Sequence, residues 1–192
     1  MPAFDLRGIR IGKYAENSGV VTYSEQTSAG DAMNANLELR FAEGRLYAES
    51  KLAEYIKLAI GGTISIGVKY IPDEAQALMF GAVENKRTID TKQVSGLQFT
   101  TKDVANYVGI AFYAPDMIDT VQKFTCVFVP KALFGPPSLV FQTKNESITF
   151  QTPTTTGEFL PDDTTGELLI ESAVVDDAET AIAWCKAVLG EE

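Results

Sequence analysis

The groups that could do chemistry in this chain are carboxylates, thiols, amines and hydroxyls, because the sequence contains no histidine. That removes Ser-His-Asp and Cys-His catalysis, His-ligated zinc and a switch titrating near neutrality. Among the paired carboxylates are Asp162-Asp163 and Asp176-Asp177. Adjacent residues point in different directions, whereas a glycoside-cleaving pair must face across a bond at about 5–9 Å. A turn and a helix cap are therefore the better readings, ahead of a carboxylate-dependent glycosidase or lyase. Cys126 and Cys185 lie 59 positions apart without a CxxC neighbour. A bridge between them is possible on paper, but two thiols at apolar positions read better as reduced core residues. No Walker loop, GxGxxG fingerprint, EF-hand loop or HExxH motif is present, and Gly61-Gly62 lacks the lysine and helix start of a phosphate cradle. The expectation is a protein that is not an enzyme, with no cofactor, no metal and no catalytic residue.

The charge pattern points the same way. The 192 residues include 26 acidic and 16 basic side chains, a formal net charge of −10. Residues 1–145 hold 15 of each sign, so the whole surplus lies in 146–192, where eleven acids face only Lys186. Basic residues are scattered singly, with Lys86-Arg87 the one adjacent pair. Double-stranded nucleic acid is held largely by neutralised phosphates, so a specific DNA-binding surface is not expected. The acidic quarter reads either as a solubilising face or as a surface aimed at something negative that must not stick, or at a basic partner. Met1 to Gly8 has no apolar signal core, and no stretch nears the roughly 20 apolar residues of a membrane span. The reading is synthesis in a cytoplasm and work in water, with no membrane partner.

The elements that would position these groups are mostly short strands. At 45% hydrophobic and 22% charged, the composition suits one globular domain spanning 1–192. Asn36–Phe41 alternates, with Leu37, Leu39 and Phe41 on one face; Glu43-Gly44 offers a turn, and Leu46–Ala48 runs back. Tyr55–Ile60 and Thr63–Tyr70 flank Gly61-Gly62 as a two-residue hairpin, which sets Ile56, Leu58 and Ile60 opposite in facing to Ile64, Ile66 and Val68. Either both sheet faces are then covered or the loop is one residue longer. Pro72 opens a helix of about two turns, through Asp73 and Glu74 to Phe80, with Gly81 as its stop. Tyr107–Tyr113 and Phe124–Val129 are apolar on both faces, so they are central in a sandwich or face another subunit. Leu139–Phe141 and Ile148–Phe150 form a hairpin across Lys144-Asn145, and Thr152–Phe159 pairs with Gly166–Ser172 across Pro161-Asp162-Asp163. A last helix starts at an Asp176 N-cap and carries Ala178, Ala181, Ile182, Cys185, Val188 and Leu189 as its apolar stripe. Trp184 lies at the stripe's edge and anchors the helix on the sheet, and Gly190 ends it.

The ordered set of elements resembles the major tail proteins, or tail tube proteins, of long-tailed bacteriophages, of the type found in phages of Gram-positive bacteria. The matching features are Gly8–Ala15, Leu46-Tyr47-Ala48-Glu49-Ser50, the β-segment around Gly61-Gly62, and the Ile71-Pro72-Asp73-Glu74 helix ending at Phe80-Gly81. They continue with the Val108–Tyr113 strand, the Phe141–Phe150 hairpin with Thr152-Pro153 after it, and the terminal Ala181-Ile182-Ala183-Trp184 helix. The resemblance implies a mainly β fold, a tail-tube-like β-sandwich or barrel with a short central helix and a C-terminal helix packed on the sheet. It implies a structural virion protein made in the bacterial host's cytoplasm, which polymerises as stacked hexameric rings. DNA would pass through the lumen without specific binding, and neighbouring partners would be the tape measure, tail terminator and distal tail proteins.

Within that frame Asn36–Tyr70 is expected to supply the ring-forming strands, with loops such as Glu43-Gly44 reaching a neighbour. The candidate interface residues are Glu38, Arg40, Glu43, Gly44, Arg45, Glu49, Glu54, Lys57, Gly61 and Gly62. Their alternating signs, with Lys51 among them, suit either a lumen lining or salt bridges between subunits. The alternative of another class is a β-barrel that binds a small ligand, lined by Tyr107, Phe112, Tyr113, Phe124 and Phe128.

Overall fold

The computed structural model describes residues 5–118, 120–139, 143 and 152–191. The chain runs β1 (Arg7–Asn17), β2 (Val20–Ser28), β3 (Ala32–Ala48), β4 (Lys51–Val68), α1 (Asp73–Phe80), β5 (Val83–Ile89) and β6 (Lys92–Gln98). It continues with β7 (Tyr107–Ile118), β8 (Val121–Phe134), β9 (Thr154–Phe159), β10 (Ile170–Glu171) and α2 (Ala178–Ala187). The fold is mainly β. One antiparallel sheet has the order β2-β1-β7-β8-β9-β4-β3 with β10 beside β8, and β5-β6 is a separate two-stranded ribbon. The Leu139–Phe141/Ile148–Phe150 hairpin read from the sequence falls on residues outside the described ones, except Leu139.

Alternating apolar residues explain how the sheet curls. Ile9 and Ile11 of β1, Ile64, Ile66 and Val68 of β4, and Val108, Ile110 and Phe112 of β7 enter one buried cluster. Strands far apart in the sheet order meet there, and α1 closes the cluster with Ala75, Leu78, Met79 and Phe80. Helix α1 begins just after Pro72 and ends at Gly81, whose φ of 69° is the left-handed cap that glycine adopts without strain.

A second cluster lies on the opposite face of β7 and β8. There Ala111, Tyr113, Phe124, Cys126 and Phe128 meet Ala181 and Cys185 of α2 and Leu189 just after it, with Trp184 packed at the margin. The two-sided apolarity of β7 and β8 is thus covered within the chain, by the sheet's curl on one side and α2 on the other, and needs no second subunit. Both cysteines are free and buried, and burial pushes the Cys185 thiol up to about 12.

Several boundaries differ from the sequence reading. Glu43-Gly44 is no turn: β3 runs straight through it, because Gly44 sits in register opposite Ile56. Gly61-Gly62 lies inside β4 rather than between two strands. The strand at Thr154 pairs with β4 and β8, and Ile170–Glu171 with β8, so these two segments do not pair with each other. Asp162 supplies the reason: buried, it accepts from the amides of Thr164 and Thr165 and folds the chain there into a compact turn. The α2 cap is Asp177, not Asp176, since Asp177 Oδ1 accepts from the Thr180 amide at 2.7 Å.

Phe159 is fully buried in the main cluster, so Phe159→Ala should lower unfolding stability by about 3–5 kcal/mol in urea titrations. The native thiols should be inert to an aromatic disulfide reagent near pH ~8 and react only on unfolding.

Candidate assembly surface

Strands β3 and β4 are 17 and 18 residues long, about three times the usual strand. Their inner halves belong to the body. There Ile64 pairs with Leu37 on one side, and β9 pairs with β4 from Gly62 to Gly67 on the other. From Phe41 and Ala59 outward no third strand joins them among the described residues, and both strands are exposed throughout. The result is a two-stranded ribbon of eight residues on β3 and nine on β4, about 26 Å long at roughly 3.3 Å per residue. Glu49 and Ser50, at φ 50° and 63°, close its tip in the mirror-image turn whose twist suits a hairpin.

The exit point is built from Ile60, Gly61, Gly62 and Phe159. The register shifts between Arg40, opposite Gly61, and Phe41, opposite Ala59, leaving Ile60 as the extra residue of a bulge. Gly61 has φ 150°, which a side-chain-bearing residue rarely adopts, and a Cβ on Gly62 would strike the Phe159 ring. The bulge reverses the facing of β4. Ile56 and Leu58 therefore turn away from the side on which Ile64 and Ile66 are buried, as the sequence reading had it, though by a bulge instead of a turn.

Register separates the two faces of the ribbon. On one face Phe41, Glu43 and Arg45 lie beside Ala59, Lys57 and Tyr55. Glu43 reaches Arg45 and Lys57 at 3.4 Å each, the Lys57 ammonium sits 4.4 Å from the Phe41 ring centroid, and the Arg45 guanidinium 5.5 Å from that of Tyr55. Hydrogen bonds from Tyr55 and then Lys57 hold the Glu43 carboxyl below its usual range. On the other face Ala42, Gly44 and Leu46 lie beside Leu58, Ile56 and Glu54. Leu46, Ile56 and Leu58 are 57%, 55% and 62% exposed, an apolar stripe that none of the described residues covers.

The candidate residues therefore divide. Glu43, Arg45 and Lys57 form one cluster, and Arg40 pairs with Glu158 of β9 at 3.6 Å, so each of these charges has a partner within the chain. Glu38 accepts from Asn36 Nδ2, Glu49 is at the tip, and Glu54 borders the apolar stripe. Gly44 is open, leaving a shallow place on the stripe, while Gly61 and Gly62 are buried at the exit. The sequence reading attended to charge and missed the stripe, although the small-and-apolar alternation of Ala42, Gly44, Leu46 and Ala48 opposite Ile56 and Leu58 was its signal.

No other region gathers comparable features. Phe112 is in the main cluster while Tyr113, Phe124 and Phe128 pack under α2, so the aromatic set proposed to line one cavity is split between two packed cores. Lys131, 9% exposed, pairs with Asp163 between the rings of Tyr14 and Tyr107 at 5.1 and 4.8 Å. That contact holds the Asp163 carboxyl below its usual range. Among the described residues no group of three acidic or thiol ligands is placed to hold a metal, and no helix is long and apolar enough to cross a membrane. No protein-family model and no curated protein sequence matches the chain.

In the unassembled protein, amides of 41–59 should exchange with deuterium far faster than those of 62–67, which lie between two strands. Because the Glu43 and Asp163 values are lowered, their contributions to stability are complete above the ordinary carboxylate values. They should disappear as pH falls through the lowered ones, which a pH series of unfolding midpoints would read.

Proposed function

We propose that this protein is a structural subunit of a bacteriophage tail tube, polymerising as stacked hexameric rings around a lumen that conducts DNA. One observation carries the reading: a projecting ribbon with one mainly apolar face, bordered by Glu54, that none of the described residues covers. A two-stranded hairpin is marginal in water at best, and exposed apolar stripes of this kind mark surfaces that another molecule covers. The sheet also ends in two open edges, β2 and β3, which subunits in a closed ring can pair or cover. The resemblance in element order supplies the identity of the assembly, and the ribbon supplies its means.

The charge distribution supports a conduit. Of the acids in the last quarter, Glu158, Asp163, Asp176 and Glu191 pair with Arg40, Lys131, Lys123 and Arg10. The remaining net negative charge disfavours adhesion of phosphate, so that a transported polymer slides.

Concentrated wild-type protein should show rings or tubes by negative-stain electron microscopy. Ile56→Glu with Leu58→Glu should abolish them, while the unfolding free energy of the monomer changes by no more than about 0.5 kcal/mol, since both side chains are exposed there. Wild-type protein that stays solitary at every concentration would overturn the reading.

A further inference from the structure

The ribbon β5-β6 presents a second unpartnered face whose character is different. Register places Val83, Asn85, Arg87 and Ile89 beside Gln98, Gly96, Val94 and Lys92 on one side. Val83, Ile89 and Val94 are all exposed there. Ile89 and Val94, together with Arg87 and Phe99, border an open groove of about 480 Å³, in which Gly96 has nothing within 4 Å of a Cβ position. The opposite side carries Glu84 and Lys86, which pair with each other at 3.2 Å. The grooved side holds two cations and no acid.

Those two cations stand out in the molecule's charge pairing. Among the described residues most Lys and Arg side chains have an acidic partner, from Arg7 with Asp5 to Lys186 with Glu191. Arg87 and Lys92 make no ion pair, nor do Lys51 at the tip of the longer ribbon and Lys102. The unpaired acids of the last quarter include Glu167, Glu171 and Glu179, and the same segment exposes Leu169, Val174 and Ile182. One copy thus carries a cationic, β-branched face on β5-β6 and, at Glu167, Glu171 and Glu179, exposed acids that make no ion pair among the described residues. The root of the ribbon is held in place: Phe99 packs on Phe80, Asn106 donates to the Leu78 carbonyl at 2.8 Å, and Asp103 closes the following turn through Thr100.

We propose that the Arg87/Lys92 face of β5-β6 docks on the Glu167–Glu179 surface of a second copy of this chain. The two patches differ, so the contact is heterologous: it runs head to tail and generates a ring where the rotation closes. The proposal rests on the self-assembly reading above and adds the contact that fixes orientation between copies, because charge complementarity sets register and excludes wrong pairings.

The test is charge reversal with rescue, followed by sedimentation velocity and negative stain on the full chain. Arg87→Glu with Lys92→Glu should raise the concentration needed for assembly at least ~10-fold, and so should Glu167→Lys with Glu171→Lys and Glu179→Lys. Combining all five changes should restore assembly. Lys86→Gln, on the paired side, should leave it unchanged, and Arg87→Gln with Lys92→Gln serves if the reversed ribbon misfolds by circular dichroism. Assembly that survives either reversal overturns the proposal, and so does equal damage from Lys86→Gln. Loss by both reversals without rescue means a different acidic partner occupies the face, and also overturns it. A wild-type chain that never assembles defeats the self-assembly reading itself; a wild-type chain that assembles alongside an assembling Arg87→Glu/Lys92→Glu variant defeats only this contact.

Discussion

A two-stranded ribbon has no interior, and that constraint governs the long hairpin. A strand inside a sheet buries at least one face against the core; beyond Gly62 the strands β3 and β4 have nothing to bury against. The face with Glu43, Arg45 and Lys57 meets the problem locally, by cross-strand ion pairs and cation–π contacts that are at home in water. The face with Leu46, Ile56 and Leu58 does not meet it at all. Its side chains gain nothing in the solitary chain, so burying them elsewhere is a free-energy reserve still available to association.

The exit from the body is what aims that reserve. Without the extra residue Ile60, the alternation of β4 would carry Ile56 and Leu58 onto the same side as Ile64 and Ile66. One bulge turns the stripe to the outer side, and Gly61-Gly62 permits it by passing close over Phe159. A side chain at Gly62 would therefore disturb two things at once, the packing of the core ring and the direction of the ribbon. The same two glycines look like a hairpin turn in the sequence because turn and bulge ask for the same conformational freedom. Only the pairing of residues far along the chain separates the two.

This is also why the sequence was legible in parts. Helix α1 and the α2 stripe are written in local signals, proline, glycine and apolar spacing, and both formed close to where those signals put them. The curl that gives β7 and β8 two buried faces depends on contacts between strands distant in sequence, so two-sided apolarity left an outside partner open when α2 is in fact the cover. The tip at Glu49-Ser50 and the ribbon β5-β6, which turns at Asp90, went unread for a related reason. Their positive φ residues are not glycines and Glu-Ser is not a customary turn pair, so nothing local marks them. At the candidate surface, opposite charges at alternating positions were visible; which of them meet, Glu43 with Arg45 and Lys57, and Arg40 with the distant Glu158, depends on strand register.

Charge and apolar surface then divide the labour between the two ribbons. The longer one offers area, an apolar stripe along a ribbon about 26 Å long at roughly 3.3 Å per residue, but an apolar stripe slides and has weak register of its own. The shorter one offers few apolar contacts but two unanswered cations, which steer encounter and penalise misplacement more than they add affinity. An assembly that needs both strength and a single geometry is served by separating these properties onto different elements. Placing Arg87 and Lys92 within the long stripe would weaken its burial by requiring their desolvation, since a charge removed from water costs several kcal/mol unless it is paired. Kept on their own exposed ribbon, Arg87 and Lys92 stay hydrated in the fold, so their desolvation falls only on a contact that also pairs them.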